Sequence, residues 1–214
     1  MTSSAMPSKP IRLYRHALSG HSHRVELFLS LLRLPFVAID VDLAKGAHKA
    51  PEFLAKNPFG QVPVIEDGDV TVPDSNAILV YLASRYDTSG RWLPADPISA
   101  ARVQQWLAIA AGPLANGPAA ARLVTVFGVP LDHARAKDVA AQLLKTVDAH
   151  LSGRLFLTGD GPTIADLALY SYTAHAPEGG VSLEPFPHVR AWLSRIEALP
   201  HFVPMRRTPA KAVA

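Results

Sequence analysis

Asn57-Pro58-Phe59-Gly60-Gln61-Val62-Pro63-Val64-Ile65 places a proline inside an apolar run that otherwise reads as a short buried strand. Proline brings no N–H to a ladder, so this strand is expected at a sheet edge with one side of its backbone open. An extended peptide-like ligand can pair with such an edge through the main chain of Val62. Glu66-Asp67-Gly68-Asp69 then supplies a hairpin turn, and residues 70–72 return as a second strand. Beyond it, Asp74-Ser75 precede the helical run Ala77-Ile78-Leu79-Val80-Tyr81-Leu82. A helix start offers unpaired backbone N–H groups to a carboxylate, and Asp74 beside it can pair with an ammonium. The combination predicts a site for a small peptide carrying both an amino group and a carboxylate.

Each piece alone is weak. Only about 5–6% of X–Pro bonds in folded proteins are cis, and an acidic or serine residue before a helix is ordinarily a cap. The order carries the inference: proline strand, Asp-Gly turn, strand, acidic-Ser helix start. That order resembles the glutathione-binding half of the glutathione S-transferase family, with a likeness running from about residue 11 to about residue 204. The resemblance implies a cis Val62–Pro63 bond, Val62 main chain pairing with the cysteinyl residue of glutathione, and Asp74-Ser75 holding its γ-glutamyl end. Gln61, Val62, Pro63, Asp74 and Ser75 thereby become glutathione-contact candidates.

Composition narrows the alternatives. Of 214 residues, 49% are hydrophobic and 18% charged, which excludes a disordered chain. The net charge of +3 comes without a basic run, so a nucleic-acid partner is not expected, while a weak positive field favours an anionic ligand. The chain contains no cysteine, which rules out disulfides and any mechanism through a protein thiol. Residues 1–10 are polar and lack an apolar core, and are read as a flexible leader. The apolar stretch 25–39 is broken by Arg33 and Pro35 too early to span a membrane. A cytoplasmic protein without a membrane association is expected.

Residues 11–14 read as a strand, 22–33 as a largely buried helix, and 36–41 as a second strand, which makes a right-handed βαβ unit. A loop with a helical turn fills 43–60, and the proline strand, hairpin and helix follow. The βαβ-ββα order predicts an α/β thioredoxin-like domain over 11–86. Residues 87–97 have linker composition. From 98 to 214 strand signals vanish, which predicts an all-α domain. Pro97 opens a helix to about residue 111, and Gly112-Pro113 and Gly117-Pro118 are expected to interrupt it. Residues 131–151 form a further helix. Thr163-Ile164-Ala165-Asp166 has capping-box spacing, and the resemblance makes it the buried structural cap of a core helix. Residues 187–199 carry Val189, Trp192, Leu193 and Ile196 on one helical face.

Glutathione transfer needs a thiolate near neutral pH. A free thiol has a pKa of about 8.5, and one hydrogen bond to a charged acceptor contributes about 1.5–3 kcal/mol, worth one to two pKa units. A single hydroxyl aimed at sulfur therefore suffices, best placed between the first strand and first helix. In theta-, delta- and phi-like members a serine does this, and Ser19 stands in that place, as a hydrogen-bond donor and not a covalent nucleophile. Ser22 is the second candidate, with helix N-cap as its structural reading. Tyr14, inside the first strand, is a third.

His21 is assigned to the glutathione pocket. His16, His21 and His23 invite a metal reading, but no Cys or close carboxylate completes a set, and no metal or permanent cofactor is expected. The resemblance aligns His48 with a histidine that holds the glycine carboxylate of glutathione. Ala17, Trp106, Ala110 and Pro113 are candidates for the pocket of an apolar electrophile. Phe59, just ahead of Val62-Pro63, is a candidate for insertion into a partner subunit, so a homodimer is expected. Rival readings are a glutathione-dependent peroxidase or disulfide reductase on this fold, and a non-enzymatic glutathione-binding or regulatory protein.

Overall fold

A computed structural model describes residues 6–208. Part of the leader expected at 1–10 therefore lies outside the described residues, and residues 6–10 form neither helix nor strand. The chain divides into two units. One comprises the chain to Ala95 together with Leu199–Met205; the other comprises Asp96–Ala198 and the chain from Arg206.

The first unit is built on a four-stranded sheet in the order β2-β1-β3-β4, with β1 Ile11–Arg15, β2 Phe36–Asp40, β3 Val64–Asp67 and β4 Val70–Pro73. β1 and β2 are parallel, joined by helix α1 (Gly20–Leu31), and β3 and β4 are antiparallel. A short 3-10 turn (Ala47–Lys49) and helix α2 (Pro51–Leu54) precede β3, and helix α3 (Ser75–Tyr86) follows β4. This is the thioredoxin-like βαβ-ββα arrangement.

Both faces of the sheet are covered. Ile11, Leu13 and Ile65 join Val25, Phe28 and Leu29 of α1 and Ile78, Leu79 and Leu82 of α3 in the core. Each such side chain contributes about 1.5–3 kcal/mol by leaving water. On the other face Tyr14, Val41, Phe53 and Val64 cluster, with Val62, Leu43 and Ala47 against them.

Three local expectations change. Helix α1 starts at Gly20, two residues earlier than expected, because Ser19 takes the N-cap and accepts from Ser22 N. The N-cap reading of Ser22 is thereby corrected: its hydroxyl accepts from His16 N at 3.2 Å instead. Second, the proline strand is not an edge. β3 begins at Val64 and lies between β1 and β4, so the ladder simply starts after Pro63. Third, Asp96, placed in the linker from composition, caps the helix that Pro97 was expected to open, its side chain accepting from Ser99 N.

The second unit is helical: α4 (Pro97–Ile109), a π-helical segment (Ala110–Ala119), α5 (Ala120–Phe127), α6 (His133–Leu151), α7 (Ile164–Ala174) and α8 (Pro187–Glu197), with a 3-10 turn at Ala176–Gly179. Pro113 and Pro118 do not interrupt the helix as expected. They sit five residues apart inside wide i→i+5 turns, which absorb the missing donors without ending the rod. Gly117 lies against α6 so closely that a Cβ there would stand 2.8 Å from Ala140 N. At α8 the expected Val189, Trp192, Leu193 and Ile196 are all buried.

Candidate active site

The strand register delivers three separate segments to one end of the sheet. Tyr14 pairs with Val64, and Val64 pairs with Pro73. His16 follows β1, Val62 precedes β3 and Ser75 follows β4, so all three lie just beyond the same end of the sheet. The chain thus leaves β1 toward Ser19, enters β3 through Val62–Pro63, and leaves β4 into Asp74-Ser75. Distant stretches of sequence meet because antiparallel pairing places the end of one strand beside the start of the next.

Ser19 is the N-cap of α1, with extended backbone (φ −88°, ψ 119°), half-buried, and its Oγ accepts from Ser22 N at 3.3 Å. That bond uses a lone pair, and among the described residues the Ser19 hydroxyl proton is donated to nothing. The first turn of α1 contains no acidic residue, so the partial positive charge of the helix start is left for an incoming anion. Ser22 is buried, with its hydroxyl turned to His16 N. The Tyr14 hydroxyl donates to Glu66 Oε2 at 2.9 Å, and burial with that carboxylate raises the phenol pKa, which removes it as a source of thiolate stabilisation.

The Val62–Pro63 peptide bond is cis. Val62 stands outside the β3 ladder, and among the described residues no hydrogen bond reaches its main-chain N–H or C=O. The preceding turn is held by Asn57, whose Nδ2 donates to Gln61 O at 2.8 Å and whose Oδ1 accepts from Phe59 N at 3.1 Å. Gln61 itself is exposed. Gly60, at φ +58°, closes the turn; a Cβ there would meet His48 O at 2.7 Å. This contact seats His48 beside the proline turn. Lys49 Nζ reinforces it by donating to Phe59 O and Gly60 O, both at 3.2 Å. Lys56 pairs with Glu66. His48 is half-buried, and its Nδ1 is enclosed without a partner.

Asp74 caps α3 with an unusual backbone, φ 70° and ψ 126°. Its Oδ1 accepts from Asn76 N and Ala77 N, both at 2.9 Å, and among the described residues Oδ2 makes no bond. Ser75 is buried in the first turn of α3, where its Oγ accepts from Arg24 Nη1 at 3.2 Å and lies 3.4 Å from His21 Nδ1. Arg24 Nη1 also donates to Asn76 Oδ1 at 2.8 Å. Desolvation, with the neighbouring Arg24 charge adding to it, holds His21 down at about 3, so the ring is neutral at pH 7. His16 and His23 face other partners: Leu18 N meets His16 Nδ1 at 3.3 Å, and His23 Nε2 lies 2.9 Å from Val203 O.

Of the remaining candidates, Phe59 is 79% exposed at the tip of the proline turn. Ala17 is half-buried in the first unit, two residues before Ser19. Trp106 and Ala110 are buried in the second unit, the tryptophan ring edge-on to His150 at 4.8 Å, while Pro113 is exposed. Ala110 has no exposed surface. Thr163 and Asp166 form a reciprocal cap on α7, with Asp166 Oδ2 accepting from Thr163 N at 2.9 Å.

The residues that sequence reasoning missed are the braces: Asn57, Lys49, Arg24 and Asn76. The Asn57-Pro58 turn before a glycine was a usable signal for the first. A charged residue beside the apolar run that begins at Val25 was the signal for Arg24.

Comparison with known proteins agrees with this geometry. The chain matches the glutathione S-transferase N-terminal domain over residues 9–84 and the C-terminal domain over residues 132–200. Glutathione S-transferase 3 of Zea mays is 38% identical over 205 residues, covering 90% of this chain and 91% of the relative. A crystal structure of a glutathione S-transferase from Pseudomonas fluorescens superposes with a TM-score of 0.87 at 33% identity, covering 92% of this chain and 99% of that one. A glutathione transferase homologue from Drosophila mojavensis, solved with bound glutathione, gives a TM-score of 0.81 at 29% identity over 89% of each chain. The chain therefore belongs to the glutathione S-transferase family and is a glutathione transferase.

Proposed function

We propose that this enzyme binds glutathione along the Val62–Pro63 turn and holds its sulfur as a thiolate against the Ser19 hydroxyl, for attack on small, mostly apolar electrophiles. The observation that carries this reading is the unspent Ser19 proton at a helix N-cap with no acidic residue in its first turn. The main chain of Val62 pairs with the cysteinyl residue. Asp74 and Ser75 take the γ-glutamyl ammonium and carboxylate, and α3's first turn favours the latter. His48 and Gln61 face the glycine end, and Pro63 shapes the turn; His21 borders the γ-glutamyl seat through Ser75.

In the reaction the thiol proton passes to solvent, the sulfur lone pair forms a C–S bond, and the electrophile's leaving group departs or its strained ring opens. One hydroxyl donor supplies about 1.5–3 kcal/mol, lowering a thiol of pKa about 8.5 to near neutrality. No metal or permanent cofactor enters. The working form is a cytoplasmic homodimer in which the exposed Phe59 of each subunit inserts into its partner.

The test is Ser19→Ala, with Ser22→Ala alongside it. Thiolate absorbance of the glutathione complex, titrated from pH 5 to 9, is expected to shift upward by about one to two units in the first variant only. An unchanged titration in Ser19→Ala would remove the serine from this role.

A further inference from the structure

We propose that Arg24 is a positioning residue for glutathione: its guanidinium binds the first two side chains of α3 to α1, and so sets the γ-glutamyl seat relative to Ser19. The inference rests on the glutathione reading above and concerns how that site is built.

Arg24 is 1% exposed, and a buried guanidinium is costly unless its donors are used. An apolar residue would fill this place in α1 at less cost if packing were the only demand. Instead Arg24 Nη1 reaches across some fifty residues of chain to Ser75 Oγ at 3.2 Å and Asn76 Oδ1 at 2.8 Å. These two residues directly follow Asp74, whose φ of 70° is a conformation that L side chains rarely adopt. Such a backbone costs on the order of 1–3 kcal/mol and persists only where its surroundings hold it. Asn76 is held at both ends, by its main-chain N–H to Asp74 Oδ1 and by its side chain to Arg24. Arg24 thus anchors the residue that closes the Asp74 turn.

The bond to Ser75 also fixes the direction of donation. Arginine has no acceptor, so Ser75 Oγ must receive from it, and the serine's own proton is directed to a different partner. His21 Nδ1 lies 3.4 Å from the same oxygen. A carboxylate arriving at the start of α3 meets a hydroxyl whose proton is already turned away from Arg24, beside a fixed positive charge. Asp74 then remains for the ammonium. α1 carries Ser19, and α3 carries Asp74 and Ser75; Arg24 is the link between the thiol end and the amino-acid end of the same ligand.

The experiment compares wild type, Arg24→Met and Asn76→Ala by calorimetric titration with glutathione, steady-state kinetics with a halogenated dinitrobenzene, and an NMR titration of the His21 ring. Arg24→Met is expected to raise the glutathione KM and Kd at least about tenfold while kcat at saturating glutathione falls less than about threefold. The His21 midpoint should rise in the same variant, because a neighbouring positive charge is gone. Asn76→Ala leaves the buried charge paired with Ser75 and should raise KM about threefold, which decides the matter if Arg24→Met does not fold. Wild-type affinity in the folded variants, or equal losses in kcat and kcat/KM, would overturn the assignment. No uptake by wild type would instead overturn the glutathione reading on which it rests.

Discussion

Trp192 Nε1 donates to Asp166 Oδ1 across 2.9 Å, and neither side chain retains any solvent exposure. The same carboxylate accepts from Leu157 N and Thr163 N, so three donors on separate stretches of the second unit depend on one residue. Burial raises the Asp166 pKa, and these bonds act against that shift. Asp166→Ala leaves three enclosed N–H groups unpaired and is expected to cost at least about 3 kcal/mol. Trp192→Phe removes one donor from an oxygen that keeps Leu157 N, and should cost only about 0.5–1.5 kcal/mol. Urea unfolding of both variants checks the order; a loss under about 1 kcal/mol for Asp166→Ala would refute the dependence.

Asn57, only 4% exposed, holds the turn that presents Val62 through one donor and one acceptor. Asn57→Ala removes both and frees the Gln61 carbonyl, with an expected loss of about 1–3 kcal/mol in stability. Because the freed segment is the proposed peptide-binding edge, glutathione KM should rise several-fold with Ser19 chemistry intact. Calorimetry and kinetics on the folded variant read this directly. A stability loss with unaltered KM would confine Asn57 to folding.

Gly117→Ala tests the packing of the π-helical segment. The new methyl meets main-chain atoms of Ala140 and Val139 at 2.8–3.2 Å, and backbone cannot step aside as a flexible side chain can. The variant should lose about 1–3 kcal/mol or more. Gly112→Ala, where a Cβ meets nothing within 4 Å, is the control and should be neutral or slightly stabilising. Equal melting temperatures for the two would show that the segments do not touch.

Acid stability should reflect two groups of opposite kind. Burial acts to raise the Glu178 pKa, but bonds from Thr208, His175 and Arg122 more than offset it and bring it to about 2. This depressed carboxyl contributes stability that is fully present above its unfolded pKa near 4.5 and disappears as pH falls through about 2. Desolvation lowers His175, so it serves Glu178 as a neutral donor and Arg122 is the charged partner. Neutral His21 and the buried, neutral His175 also lose stability as pH falls below about 6.5, where the unfolded chain takes up protons that the folded one refuses. Melting temperature should therefore decline from pH 6.5 downward, steepening below pH 4.5. His21→Gln should flatten the upper limb, and Glu178→Gln the lower. A melting temperature flat from pH 7 to 5 would contradict the histidine assignment.

Where the two readings part, the reasons are physical. Ser19, Val62-Pro63 and Asp74-Ser75 were legible because each is a local signal: a cap, a proline without a donor, an acidic helix start. Their meeting at one end of the sheet followed from strand order. The edge position of the proline strand was misjudged because a proline just outside a ladder leaves the same sequence trace as one at its rim. The continuous helix through Pro113 and Pro118 was missed because a propensity argument assumes i→i+4 turns. Arg24, Asn57 and Glu178 act through partners dozens of residues away, and no local pattern encodes such pairings.

The stretch Leu199–Met205 belongs to the first unit, where His23 meets Val203 O at 2.9 Å and Ser30 Oγ donates to His201 O at 2.8 Å. Helix α1 is thus completed by residues that lie 171 to 180 positions further along the chain. A nascent chain with only its first hundred residues emerged cannot yet close these bonds. The amino-terminal half expressed by itself is, by the same token, an unfinished fold and a poor stand-in for the enzyme.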